Sequence, residues 1–308
     1  MMDSLDRLIQ LSQIRGVMHT HCTLQGDWRL HHPESKNSGL FHIILRGSCL
    51  LLLREQKITL NRGDVFFLPQ GSDHQIISNE KTRENNTALS PLTTRKQNHY
   101  TLVSNTAGDS NFEMFCGTFY YAEHAPLIDT LPEYVHLSIL NTPIEMLIKL
   151  FALEENSENL GAKSIIDALS AVLFTYILRN YMNQSPDHQG LIAALQDKRL
   201  SPVITALIKD PAQDWNIDGL AALAHMSRAN FIRVFQQKLA IPPGKFLTNL
   251  RMQQAGILLQ TTRKNILHVA LEAGYQSEAH FSKAFKRHYG LSPSQYRKKQ
   301  EPAENSAK

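Results

Sequence analysis

The chain has 308 residues, 42% apolar and 19% charged, with 15 Gly and 13 Pro. That composition excludes fibrous and broadly disordered classes, and the length exceeds what one hydrophobic core usually organises, so two domains are expected. The formal net charge of +4 is uneven: residues 191–308 hold seventeen Lys/Arg against eight Asp/Glu, and the preceding part is net acidic. A basic carboxy-terminal part suits a surface that approaches phosphates. Cys22, Cys49 and Cys116 are too few and too scattered for a disulfide framework. Charges at Asp3, Asp6, Arg7 and Arg15 leave no apolar core for a signal peptide. No apolar stretch of about 18 residues offers a membrane span, so a cytoplasmic location is expected.

In chain order, residues 17–77 read as short strands and turns. Residues 41–45, 49–53, 58–60 and 65–68 are β-rich runs, separated by Arg46-Gly47 and by the turn Asn61-Arg62-Gly63-Asp64. This rhythm predicts an antiparallel barrel or sandwich. Residues 78–98 are polar and poor in large apolar groups, which predicts a long loop. Strand-like runs resume at 100–103 and 112–121.

From Thr142 the apolar period changes to three and four. Leu147, Leu150, Phe151 and Leu153 mark one amphipathic helix; Ile165, Leu169, Val172, Leu173, Tyr176 and Ile177 mark another. Such a pair covers its own domain's core, and a face left over is available for a homodimer contact. Asn183-Gln184-Ser185-Pro186-Asp187 stops the second helix, giving an effector-sensing domain over residues 1–184.

Residues 191–299 read as all helix, opening with one helix over 191–209 and followed by a flexible tail over 300–308. Two segments about fifty residues apart resemble each other. Leu220-Ala221 precedes Ser227 and Phe231-x-Arg233-x-Phe235. Val269-Ala270 precedes Gly274-Tyr275 and Phe281-x-Lys283-x-Phe285. Each supplies what a helix-turn-helix needs: a small residue where helices approach, a tight turn, a capping serine and apolar anchors four apart. Ser227 and Ser277 are the expected caps, and a helix over 244–260 joins the two units. The fold class is therefore α+β with two domains, the second an all-α double helix-turn-helix.

Residues 214–299 resemble the DNA-binding domain of the AraC/XylS family of transcription regulators. The most specific stretch is Ile266-x-x-Val269-Ala270-x-x-x-Gly274-Tyr275, then His280-Phe281-Ser282-Lys283-Ala284-Phe285-Lys286-Arg287-x-x-Gly290-Leu291-Ser292-Pro293. Pro243-x-x-Phe246-Leu247 and Arg251-Met252-x-x-Ala255-x-x-Leu258-Leu259 match the family's linker helix. The resemblance implies seven helices and two recognition helices in successive major-groove segments. It places Ala229, Ile232 and Arg233 of the first helix against DNA, with Arg228 as an additional phosphate contact. In the second helix it places Glu278, His280, Ser282 and Lys283. Ala279 departs from the family's usual polar residue. Activation of transcription through RNA polymerase on double-stranded promoter DNA is the implied activity, and no enzyme chemistry is expected.

Gly63-x5-Pro69-x-Gly71-x2-His74 resembles the second motif of cupin barrels, in which the histidine is able to bind a metal. The first cupin motif is not recognisable after Gly39. His42 and His74 are therefore read as structural groups or as the lining of an organic-effector pocket, with no metal and no cofactor assigned. His19-x-His21-Cys22 is the place where such a ligand would first be sought. The opening segment, from Leu5-Asp6-Arg7-Leu8 through Cys22 and Trp28, is similar to a subgroup that includes redox-responsive regulators. That likeness makes Cys22 the expected sensor thiol, accessible and aided by His19 or His21. Cys49 reads as core, and Cys116 joins His19, His21, His42 and His74 as an effector or redox candidate. Two other classes of function are left open: a cupin-type metal-dependent enzyme, and an architectural or RNA-binding protein.

Overall fold

The computed structural model describes residues 3–79, 91–97, 100–106, 108–155, 159–184 and 189–300. Contacts divide the chain into two units. One is built from residues 14–121 and 132–185, the other from residues 1–13, 122–131 and 186–308. The division is not a single cut in the sequence, because helices α1 (Ser4–Leu11) and α2 (Pro126–Asp129) fall in the second unit.

The first unit holds β1 (Arg15–Leu24), β2 (Arg29–His32), β3 (Ser38–Arg46), β4 (Ser48–Leu53), β5 (Gln56–Asn61) and β6 (Asp64–Leu68). It continues with β7 (His74–Ser78), β8 (Thr93–Lys96), β9 (Thr101–Ser104), β10 (Phe112–Tyr120), β11 (Val135–Ser138), α3 (Pro143–Glu155) and α4 (Ala162–Gln184). One sheet runs β11-β6-β3-β10-β1-β9-β8 and the other β2-β7-β4-β5. Alternation along β4 turns Cys49, Leu51 and Leu53 inward. These meet Cys22, Leu24, Ile44, Phe66, Met114 and Cys116 of the larger sheet in one buried cluster.

The larger sheet is covered on its other side by α4. Phe174 stands 5.1 Å from Phe119 and 5.9 Å from Phe67, ring to ring. β6 is consequently buried at every position, as a strand with two covered faces must be. A Cβ on Gly16 would lie 2.3 Å from Ser170 Cβ, so glycine is what lets α4 approach β1.

Three sequence expectations need revision in this unit. Ser78 ends β7, and Thr93–Lys96 pair with β9 as an exposed edge strand rather than belonging to a loop. Residues 80–90, 98 and 99 of that expected loop lie outside the described residues. The buried faces of the helix pair match the expected ones only in part: Leu147, Phe151, Leu173 and Ile177 are buried as expected, and other expected positions are not. Ile144, Leu147, Ile148 and Phe151 are buried in α3, and Ile166, Ser170, Phe174 and Tyr181 in α4, whereas Leu150, Leu153, Ile165 and Val172 are exposed. Both helices are apolar enough on several faces that periodicity alone did not choose among them.

The second unit carries α5 (Leu191–Gln196), α6 (Ser201–Lys209), α7 (Ile217–Leu223), α8 (Arg228–Leu239), α9 (Pro243–Thr261), α10 (Ile266–Glu272), α11 (Glu278–Tyr289) and α12 (Pro293–Gln300). The single helix expected over 191–209 is two. Asp197 Oδ1 accepts from the backbone N–H of Arg199 at 2.9 Å and of Leu200 at 3.3 Å. Pro202 then sits in the first turn of α6, where a missing N–H does no harm.

Helix α1 begins in a capping box made by Asp3 and Asp6. It buries Leu8 and Leu11 and packs on α6 and α9. Ser4 Oγ donates to Thr205 Oγ1 at 3.0 Å, and Gln13 Nε2 donates to Gln260 Oε1 at 2.9 Å. No helix among the described residues is long and apolar enough to cross a membrane.

Candidate nucleic-acid interface and buried histidine–cysteine cluster

The two helix-turn-helix units are built from the same local bonds. In the first, the Met226 N–H donates to Ala221 O at 2.9 Å and the His225 N–H to Ala222 O at 3.0 Å. In the second, the Tyr275 N–H donates to Ala270 O at 2.9 Å and the Gly274 N–H to Leu271 O at 3.0 Å. The left-handed residue is His225 at φ 53° in one and Gly274 at φ 80° in the other. A Cβ at Gly274 would lie 2.7 Å from Ala212 O, so only glycine fits there. Gln276 adds one residue to the second turn.

Ser227 and Ser277 cap α8 and α11 as expected, each side chain accepting from the backbone N–H three residues on. The anchor pairs Phe231/Phe235 and Phe281/Phe285 are fully buried, with ring centroids 5.6 Å and 5.5 Å apart. Behind the second pair stand Met252, Ala255, Leu259, Val269 and Ala270. Both helices end in a left-handed residue, Ala240 and Gly290, and a proline opens the next helix.

Burying the anchors turns a polar face outward. Arg228, Ala229 and Arg233 of α8 are exposed and Ile232 is half-buried. Glu278, His280 and Lys283 of α11 are exposed and Ser282 is half-buried. Arg228 forms an exposed ion pair with Asp218 at 3.2 Å. Arg233 is steadied by Asn230 Oδ1 at 2.9 Å.

The β unit holds a different constellation, assembled from two cross-strand pairs. His32 on β2 is directly opposite His74 on β7, and His42 on β3 is directly opposite Cys116 on β10. One pair belongs to each sheet, and they meet in the core. His74 Nδ1 donates to Ser72 O at 2.8 Å, which leaves its Nε2 to accept. His42 Nε2 lies 2.8 Å from that nitrogen and is the donor, so His42 Nδ1 carries the lone pair facing Cys116 Sγ at 3.2 Å. The His32 and His74 rings stack at 4.9 Å, and His32 Nε2 is buried without a hydrogen-bond partner among the described residues.

Burial, reinforced by neighbouring imidazoles, holds His42 well below the usual histidine range and His32 down at about 3. His74 is also lowered, by burial against the opposing Ser72 bond. The Cys116 thiol is pushed well up by its hydrogen bond with Cys22 and by burial. Burial likewise raises Cys49, with Asp64 adding to it. The cluster is thus three neutral imidazoles and a protonated thiol.

Of the expected residues, His42, His74, Cys116 and Cys22 come together. Cys22 is only 1% exposed, contrary to the accessible thiol expected of it. His19 sits at the bulge between Met18 and Thr20 and is occupied by Thr20 Oγ1 at 2.8 Å and Thr118 Oγ1 at 2.9 Å. His21 packs 4.7 Å from Phe115, beside Tyr100. His32 was missed by the sequence reading. Its signal was the His31-His32 pair at a strand end: alternation sends one outward, where His31 meets Asp73 at 2.8 Å, and the other in.

The cupin family profile matches residues 3–183 and the helix-turn-helix domain profile matches residues 220–299. A transcriptional regulator of Haemophilus influenzae is 46% identical over 298 residues, spanning 96% of this chain and 99% of its own. The regulator MtrA of Neisseria gonorrhoeae is 36% identical over 301 residues, 96% of this chain and 98% of its own. The chain belongs to the AraC/XylS-type helix-turn-helix transcription regulators. Its amino-terminal domain is a cupin domain. A further AraC/XylS-type relative, the RCS-specific transcriptional activator RclR of Escherichia coli, is 28% identical over 308 residues, 97% of this chain and 98% of its own. In this AraC/XylS-type chain, α7–α8 and α10–α11 are the two helix-turn-helix units, and DNA binding is the activity they serve.

Proposed function

We propose that this regulator reads promoter DNA with α8 and α11 and activates transcription, through RNA polymerase, when its cupin domain meets an oxidant or a small-molecule effector. The observation that carries the DNA reading is the polar face left by the buried phenylalanine pairs. Arg233, Glu278, His280, Ser282 and Lys283 are assigned to base edges and phosphates, and Arg228 to phosphate. Ala229 and Ile232 supply apolar contacts of the kind made to thymine methyls. The two sheets are taken as a cupin-type barrel.

On the sensor side, the adjacency of Cys22 and Cys116 supports an oxidant, as does the likeness to a relative named as an RCS-specific activator. Hypochlorous acid takes two electrons from the two thiols. A Cys22–Cys116 disulfide forms, and the thiol protons and the oxidant leave as water, chloride and one proton. A small organic effector is the second reading, supported by a cleft between apolar Ile44, Ile139, Leu140 and Ile148 and charged Arg62 and Lys149. Exposed Met146, Leu150, Leu153, Ile165 and Val172 support a homodimer face on α3 and α4.

The test is transcription in vitro from the DNA upstream of the regulator's own and neighbouring genes, with full-length protein, reduced or treated with one equivalent of hypochlorite. Oxidation is expected to raise transcript yield and to remove two hydrogens per chain by intact mass. Cys22→Ala is expected to abolish the response and Cys49→Ala to keep it. Unchanged transcription with an unchanged mass would remove the oxidant. Binding equally tight on unrelated DNA would remove the sequence-specific reading of promoter DNA by α8 and α11.

A further inference from the structure

We infer that His32, His42 and Cys116 form a binding site for one borderline divalent transition-metal ion, with zinc the best match. This departs from the sequence reading, which assigned no metal. It stands independently of the oxidant reading, since it asks only what the donor atoms hold.

Ligand atoms of these three side chains all lie within 4.8 Å of one another. Two nitrogens and a sulfur are a donor set that suits zinc, with bonds of about 2.0 and 2.3 Å. Tetrahedral geometry with those bonds puts nitrogen and sulfur about 3.6 Å apart. The observed separation of His42 Nδ1 and Cys116 Sγ is 3.2 Å, so this pair is already near ligating distance. The separations that involve His32 are at most 4.8 Å, so an adjustment on the order of an ångström completes a tetrahedral set, and its buried Nε2 has no competing hydrogen bond among the described residues.

The tautomers fit the assignment. A metal takes the lone pair of a neutral imidazole, and the Ser72–His74–His42 chain of hydrogen bonds leaves that lone pair on His42 Nδ1. His74, the histidine of the cupin-like motif, thereby becomes an orienting partner rather than a ligand, as carboxylates and carbonyls are elsewhere. Cys116 enters as thiolate. Each ion bound therefore expels one thiol proton to solvent, and the ion's charge offsets what burial alone disfavours. Three protein donors leave a tetrahedral ion one open position.

The experiment uses reduced full-length protein stripped with chelator and titrated with Co(II), which substitutes for zinc and reports on its ligands. One Co(II) per chain is expected, with tetrahedral d–d bands and a thiolate-to-cobalt charge-transfer band, all displaced by one equivalent of Zn(II). Cys116→Ser is expected to lose the charge-transfer band, and His32→Gln, the least buried change, to weaken binding about 100-fold or more. Wild-type protein that binds no cobalt, or binds it without the charge-transfer band, overturns the site with no variant needed. So does unchanged affinity in His32→Gln whose circular dichroism matches wild type.

Discussion

The two helix-turn-helix units have nearly the same skeleton and quite different faces. Turn bonds, serine caps, buried phenylalanine pairs and left-handed helix ends recur at an interval of about fifty residues. Yet α8 offers Ala229, Ile232 and Arg233 where α11 offers Glu278, His280, Ser282 and Lys283. Packing demands fixed the anchors in both units, while the outward face was left to chemistry. The packing that holds this domain together is duplicated, and the outward faces are not.

Phe231→Ala and Phe281→Ala are each expected to destabilise the helical unit by about 3–5 kcal/mol, read from urea unfolding. Equal losses would make the duplication energetic as well as geometric. Recognition should divide differently. Lys283→Ala or Arg233→Ala is expected to lose about 1–3 kcal/mol of DNA affinity, with unchanged thermal melting and relaxed preference only in its own segment of the site. Ala229→Ser should matter far less.

The two turns differ in what they tolerate. Gly274→Ala places a Cβ against Ala212 O at positive φ and is expected to cost more than about 1 kcal/mol. His225→Gly, at the corresponding residue, is expected to shift stability by less than about 1 kcal/mol. The caps come next, Ser227→Ala and Ser277→Ala each costing about 1 kcal/mol in the same unfolding assay.

One pH effect separates the units. Burial, with His124 and Lys245 facing it, lowers His288 to about 4. Its folded value lies below the unfolded one near 6.5, so its contribution is complete above pH 6.5 and is lost as pH falls toward 4. The residue fifty positions earlier is Lys238, so only the second unit carries a histidine at this place. His288→Asn is therefore expected to flatten the stability profile of the helical unit between pH 6.5 and 4.

Legibility in the sequence followed the same line between packing and context. The helix-turn-helix units were readable because their requirements are local: a cap, a turn, two anchors on one face. The strands of residues 41–68 were readable from alternation and turn residues. What escaped was set by partners distant in sequence. Helix α1 belongs to the helical unit because Leu8 and Leu11 find α6 and α9, which no local pattern encodes. The buried face of α4 was chosen by Gly16 and Phe119. His32 became part of the cluster through its register with His74, and Cys22 was read as accessible because alternation does not reveal what covers a strand.

Under the proposed function both α8 and α11 read DNA, each with its own face. Footprinting of full-length protein on its upstream DNA in physiological salt tests it most directly, comparing wild type with Arg233→Ala and Lys283→Ala. Two protected segments one helical turn apart are expected, each variant weakening one and sparing the other. A single protected segment that both variants weaken together, or protection that neither changes, would contradict the account.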